Sequence, residues 1–388
     1  MGIRINGSSG GYVEINVPAN PSNRNIILPD TDGEALVGTT NGAVVLPSGT
    51  TAQRPTGAAG QIRFNTDNGE MEFWSTTSSP AQWRKVKEGE LTAFSVRYLV
   101  VGGGGAGGST AYSWVCGGGG GAGGYLAASN DTSTFSLNTA YTVTIGAGGA
   151  RTVGNSTTRY AGNNGANSVL GTLTAIGGGG GGGGQMANYT IAEAHGKDGG
   201  SGGGASGYGN YGTGGLVGSG TTGQGNNGGG PASNPNYAGA GGGGALVSYD
   251  TGGDGGPGVS NDINGTAVIY AAGGGGGTYT NTTVAAQGKG GSNGTGGRGG
   301  FRQAAGQYAE RIGSTPGSGG GGGGGYDSVA DELDGGAGAD GVVIIRIPDS
   351  YTATFSAGVT FTSTAVPADN TTIYECTAGT GTVTFALA

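Results

Sequence analysis

Between residues 98 and 341 the chain carries 84 glycines in 244 positions. Nothing else in the sequence restricts the fold as strongly. Glycine loses more conformational freedom on ordering than any other residue, and each one in a helix interior costs about 1 kcal/mol relative to alanine. Long α-helices are therefore excluded. The glycines follow no strict Gly-X-Y period, which excludes a collagen triple helix. They cluster instead in runs at 102–108, 117–124, 177–184, 199–204, 239–244, 273–277, 290–300 and 317–325, separated by spacers rich in Tyr, Asn, Thr and Ser. With apolar residues at 34% of the whole chain, a large oily interior is not available to this block.

The borders of the block argue for order. It opens on Ser95-Val96-Arg97-Tyr98-Leu99-Val100-Val101 and closes on Gly341-Val342-Val343-Ile344-Ile345-Arg346-Ile347, two strongly β-prone stretches placed as if to pair. Further strand-like pieces lie inside at Tyr141 to Ile145, Ser168 to Ile176 and Ala267 to Ala271. A disordered linker has no use for such strands. For an ordered glycine run, the conformation that fits is the threefold polyproline II helix, with a rise of about 3.1 Å and no internal hydrogen bonds. Rods without side chains can approach until amides of one meet carbonyls of the next, each bond contributing about 0.5–1.5 kcal/mol net. The expected fold is thus mainly β and irregular with almost no α-helix. It comprises an N-terminal β module over 1–97, a polyglycine II bundle framed by strands over 98–348, and a small C-terminal β domain over 349–388.

Function classes narrow by charge and motif. Sixteen basic against 24 acidic residues give no basic face for nucleic acid. No apolar run reaches the roughly 20 residues that cross a bilayer. Cys116 and Cys376 lie too far apart in sequence for a metal or redox motif, and His195 is the single histidine, so neither a metal site nor a histidine-based triad is expected. Gly102-x-Gly104-x-x-Gly107 formally matches a dinucleotide fingerprint, but another glycine run follows where a helix is required. The acidic patch Asp327, Asp331, Glu332, Asp334 and Asp340 lacks calcium-loop spacing and reads as a solvated loop. No enzyme activity and no cofactor are expected.

Four segments, in order and spacing, carry a family resemblance: Tyr98 to Gly105, Gly120 to Tyr125, Tyr141 to Gly149, and Gly341 to Arg346. Together they resemble the glycine-rich domain of phage tail-fibre and receptor-binding proteins, in architecture the tip adhesins of T-even-like phages. Residues 1–86 add Thr50-Thr51-Ala52-Gln53-Arg54-Pro55, Gly60 to Thr66, a turn at Asp67-Asn68-Gly69, and Trp83. This pattern is similar to small β modules of marine and cyanophage fibre proteins, which are often trimeric. The resemblance implies a viral structural protein located in the virion tail fibre. Its N-terminal module would serve virion attachment or trimerisation in a homotrimer, alongside other tail or baseplate proteins.

In that setting the spacers become recognition loops for a host surface protein or glycan, without membrane insertion. Tyr and Trp offer contact area at low entropy cost when interleaved with Ser, Gly and Asn. The candidate receptor-binding residues are Tyr112, Trp114, Tyr189, Tyr208, Tyr211, Tyr237, Tyr249, Tyr279 and Tyr326. Tyr125, Tyr141 and Tyr270, beside the strand-like pieces, are expected to pack as a collar at the rod ends, and Trp74 and Trp83 to pack the N-terminal hairpin. The rival class is a purely structural fibre or extracellular filament subunit without receptor binding.

Overall fold

A computed structural model describes residues 3–6, 12–15, 46–76, 81–86, 93–110, 115–154, 159–184, 191–207, 215–230, 243, 253–278, 288–300, 311–320, 322 and 333–388. The chain divides into two compact units, residues 1–90 and 91–388.

In the first unit, β1 (Ile3–Asn6) pairs antiparallel with β2 (Tyr12–Ile15). A second sheet runs in the order β3 (Ser48–Gly49), β4 (Ile62–Asn65), β5 (Glu70–Ser75), β6 (Gln82–Lys85). β4 and β5 form the hairpin expected around Asp67-Asn68-Gly69, with Asn65 opposite Glu70 and Gly69 at φ 68°. The covered face of this sheet is polar. Arg54 and Arg63 both ion-pair with Glu72, and Asn65 Nδ2 donates to Glu72 Oε1 at 2.8 Å. Trp74 and Trp83 meet edge to face at 5.8 Å, and Trp83 Nε1 donates to the Pro55 carbonyl. The two tryptophans thus pack this unit as expected. The opposite face carries Ile62, Phe64, Met71 and Phe73, each 37–39% exposed.

The second unit is built on one nine-stranded sheet. Its strands are β7 (Ala93–Val101), β8 (Tyr125–Ser136), β9 (Ala140–Thr144), β10 (Ser168–Leu170), β11 (Leu173–Ala175), β14 (Val342–Pro348), β15 (Tyr351–Phe355), β16 (Val359–Val366) and β17 (Thr371–Leu387). A separate hairpin is formed by β12 (Val259–Asn261) and β13 (Val268–Tyr270). The two borders of the glycine block do pair, Val101 opposite Val342 through to Arg97 opposite Arg346. Both faces of this pair are buried, which explains their unbroken apolar sequence. Val96, Val100, Val343 and Ile345 face one cluster; Leu99, Val101, Val342 and Ile344 face another, closed by Ile263 and Tyr270 of the β12–β13 hairpin. The sheet runs β11-β10-β9-β17-β14-β7-β8 and curls until β11 packs on β7 and β8, giving a nearly closed barrel. Phe94, Phe135, Tyr141 and Phe385 fill it, Phe94 stacking on Tyr351 at 4.2 Å.

Residues 349–388 form strands as expected, but these complete the sheet of the glycine block. The first half of β17 lies between β14 and β16, and the second half between β9 and β15. Gly379, at φ 93°, carries the strand through this change of partners. Edge strands β9 and β14 would otherwise expose unpaired amides, so the C-terminal strands belong to the same sheet.

From the strand ends the chain continues directly into glycine rods. β7 runs into 102–110, 115–124 into β8, β9 into 145–154, 159–167 into β10, β11 into 176–184, and 333–341 into β14. Rod 102–110 shows the packing rule. Gly102, Gly105 and Gly108 donate to Gly124, Gly121 and Gly118; Gly103, Ala106 and Ser109 donate to Ala166, Asn163 and Tyr160; Gly104, Gly107 and Thr110 donate to Ala339, Gly336 and Leu333, all at 2.7–3.0 Å. Each third residue therefore addresses the same neighbour, and three antiparallel neighbours take the amides in turn. Three parallel rods donate back, from Gly178 to Gly103, Gly149 to Gly104 and Gly320 to Gly105. Six neighbours around a threefold rod are the hexagonal packing of polyglycine II. Among the described residues, α-helix is limited to one turn at Gly291–Gly294.

Candidate functional site

The rods share a common far end, opposite the sheet. Thr110 bonds to Leu333, Gly184 to Ser109, Gly207 to Cys116, Gly277 to Gly117 and Thr278 to Gly300, which places these termini within about one three-residue turn of each other along the bundle. The glycines hold this body together because backbone approaches backbone. A Cβ built on Gly180 would sit 1.9 Å from the Gly162 carbonyl oxygen, and one on Gly104 2.0 Å from that of Ser318. The N–H groups of Gly102, Gly104 and Gly107 go to Gly124, Ala339 and Gly336. The formal dinucleotide fingerprint thus has no amide left to offer a phosphate.

All nine candidate contact residues lie outside the described residues. Tyr112 and Trp114 belong to the segment joining Thr110 to Val115, Tyr189 to that joining Gly184 to Ile191, and Tyr208 and Tyr211 to that joining Gly207 to Gly215. Tyr279 and Tyr326 belong to the segments that follow Thr278 and Gly322, and Tyr237 to that following Gly230. Each of these segments starts from a far rod end. Tyr249 belongs to the segment between Gly243 and Gly253. The described rod ends at Thr110, Gly184, Gly207, Thr278 and Gly322 therefore lie at one end of the bundle, whatever their separation in sequence.

The collar residues pack at the sheet end as expected. Tyr270 is 1% exposed, and Tyr125 packs against the same cluster; Asn261 Nδ2 donates to the Tyr125 hydroxyl at 2.8 Å. Burial raises the pKa of both phenols. Tyr141 packs against the barrel interior and its hydroxyl accepts the Ser136 amide. Cys376 is buried in the same interior, and burial pushes its thiol up to about 12.

Two readings of the acidic patch divide. Asp327, Asp331 and Glu332 lie outside the described residues. Asp334, expected in a solvated loop, is instead 1% exposed. It accepts Arg151 Nη2 at 2.8 Å and the Gly154 amide at 2.7 Å, because the rod it begins is packed on all sides and a buried carboxylate requires donors. Asp340 likewise ends a rod contact, accepting the Gly148 amide at 2.8 Å. Among the described residues no cluster of three or more His, Cys, Asp or Glu could hold a metal ion, and no helix is long and apolar enough to cross a membrane.

One surface feature escaped sequence reasoning. A groove of about 500 Å³ is lined by Arg151, Thr152, Val153, Tyr160, Ala161, Asn163, Ala192, Glu193 and Lys197. The signal available in the sequence was the presence of bulky residues inside rods rather than in spacers.

Rods addressed by thirds, framed by strands and joined backbone to backbone, define a glycine-rich domain. The family model described as "Glycine-rich domain" matches residues 88–348, and the chain belongs to that family. No curated protein and no solved structure matches the chain.

Proposed function

We propose that the protein is a phage tail-fibre or adhesin subunit that binds a host cell-surface receptor non-covalently, through segments displayed at the far end of its glycine bundle. The observation that supports this is the gathering of rod ends at one level, so that aromatic segments scattered from Tyr112 to Tyr326 leave the scaffold together. A rigid body bearing variable aromatic loops on one end is the usual arrangement for recognition. The domain family is compatible with this reading, and the resemblance of residues 1–86 to virion fibre modules adds the virion.

The N-terminal unit is read as the assembly module. Its four-stranded sheet buries charge and turns Ile62, Phe64, Met71 and Phe73 outward, the reverse of a free-standing sheet. Packing of this face against two further copies in a homotrimer would supply the missing apolar core. Sedimentation equilibrium should then return three times the 37.0 kDa chain mass.

Adsorption tests the function. Virions carrying Tyr208→Ala with Tyr211→Ala should adsorb to host cells at least tenfold more slowly, while the isolated chain melts as the parent does. Unchanged adsorption removes that segment from the contact. Failure of an antibody against the chain to decorate any virion tail removes the virion reading altogether.

A further inference from the structure

The groove beside the far ends of rods 102–110 and 176–184 has the composition of a binding site, and none of the expected contact residues belongs to it. It lies between rods 145–154 and 159–167 and the stretch 191–198. Tyr160 is 51% exposed and Val153 53%. The root of Tyr160 is clamped from both sides, its carbonyl accepting the Ser109 amide at 2.9 Å and its amide donating to Ser109 Oγ at 2.8 Å. Arg151 is held by buried Asp334 while 42% of its side chain stays exposed. Asn163 Nδ2 donates to the Ala150 carbonyl at 3.0 Å, which fixes its side chain. Lys197 and Glu193 are exposed and form no ion pair with a described residue.

From this geometry we infer that the groove is a saccharide subsite selective for a carboxylated sugar. An exposed ring with an electron-rich face attracts the C–H face of a pyranose. Asn163, Glu193 and Lys197 offer donors and acceptors suited to ring hydroxyls. The exposed part of the Arg151 guanidinium, held in place by Asp334, and the Lys197 ammonium can offer a carboxylate two charge-assisted donors. A volume of about 500 Å³ falls within the range of small-ligand sites, roughly 300–1,000 Å³, and admits a short oligosaccharide. Since the lining sits on clamped rods, binding requires little ordering. The inference deepens the adhesin reading and rests on it for its biological setting. Its test uses purified protein and defined sugars, so its failure leaves the adsorption result standing.

The probes are sialyllactose and a galacturonate trimer, with lactose as the neutral control, measured by saturation-transfer NMR and titration calorimetry on the full chain. Both acidic sugars should show transfer to ring C–H protons and bind at least fivefold more tightly than lactose at low salt. Tyr160→Ala should weaken both at least tenfold. Lys197→Glu should abolish the preference for acid, bringing the affinity for both acidic sugars down to that for lactose or below it. Neither change removes a backbone bond, since Ser109 and Gly180 are contacted by main-chain atoms of these residues; circular dichroism melts confirm the fold in each. Equal affinity for acidic and neutral sugars, no binding by either acidic sugar, or affinity unchanged in both variants overturns the inference.

Discussion

Gly180→Ala reverses an ordinary rule. Replacing glycine by alanine where the backbone permits it commonly stabilises a protein by about 0.4–1 kcal/mol, through the unfolded chain. At Gly180 the new Cβ would lie 1.9 Å from the Gly162 oxygen and 2.3 Å from its carbon. Real Cβ contacts do not fall below 3.0 Å, so rod 159–167 must retreat by about 1 Å, and the hydrogen bonds joining the two rods weaken steeply over that distance. Those bonds run from Gly162 to Gly181, from Gly165 to Gly178, and from the Gly180 amide to Asn164 Oδ1. Losing three at about 0.5–1.5 kcal/mol each gives about 1.5–4.5 kcal/mol. After the unfolded-state gain, a net destabilisation of about 0.5–4 kcal/mol remains. For a unit of this size that is a fall in Tm of about 1–15 °C, read by differential scanning calorimetry. Gly180→Val should fall further. A Cβ on Gly223 would meet no atom within 4 Å, and the backbone there has a φ of +79°. Gly223→Asn, which tolerates that conformation, is the matched control and should melt within about 2 °C of the parent. A Tm for Gly180→Ala equal to or above the parent would refute the close approach of rods.

Three further outcomes are expected. Every amide from Gly177 to Gly184 has an acceptor, so hydrogen exchange across this run should be slowed by orders of magnitude; random-peptide rates there would dismiss the bundle. The Glu72 pKa is lowered, first by its hydrogen bond from Arg54 and then by Asn65 and the charges of Arg54 and Arg63. A depressed carboxylate stabilises above its unfolded pKa, about 4.3, and the contribution disappears as pH falls through the folded value. Acid melts followed by tryptophan emission should therefore show the N-terminal unit weakening below about pH 4.3, and Glu72→Gln should remove that dependence while lowering stability at neutral pH. Cys116 and Cys376 are both buried and outside any disulfide, with the Cys376 thiol pushed up to about 12. Neither should react with iodoacetamide at pH 8 until denaturant is added; rapid native labelling would contradict the packing.

What the sequence disclosed follows from where side chains carry information. Val100, Val101, Val342 and Val343 are β-branched and apolar on both faces, and their pairing was legible. The threefold rods were legible from glycine content, since few other conformations suit such runs. Register was not. Inside a glycine run every shift by three residues presents the same pattern, so Gly102 opposite Gly124 cannot be read locally. It is fixed by the strands at the rod feet and by side chains that take the place of backbone acceptors: Asn164 for Gly180, Asn167 for Gly177, Ser168 for Gly146 and Asp340 for Gly148. The same polarity made Asp334 look solvated. The partner change of β17 was hidden because Gly379 and Gly381 resemble a turn. The groove was hidden because Arg151, Tyr160 and Lys197 become neighbours only once their rods are side by side.

The cyclic allotment of amides in rod 102–110 sets a unit of growth for the scaffold. Extending a rod by one residue adds a bond to a single neighbour; only an insertion of three serves each of the three acceptor rods once. Matched insertions of three in adjoining rods would raise the loop-bearing tip by about 9 Å while leaving the barrel untouched. Lengths between those steps leave amides without acceptors, so a lineage built on this architecture should vary its reach in discrete increments.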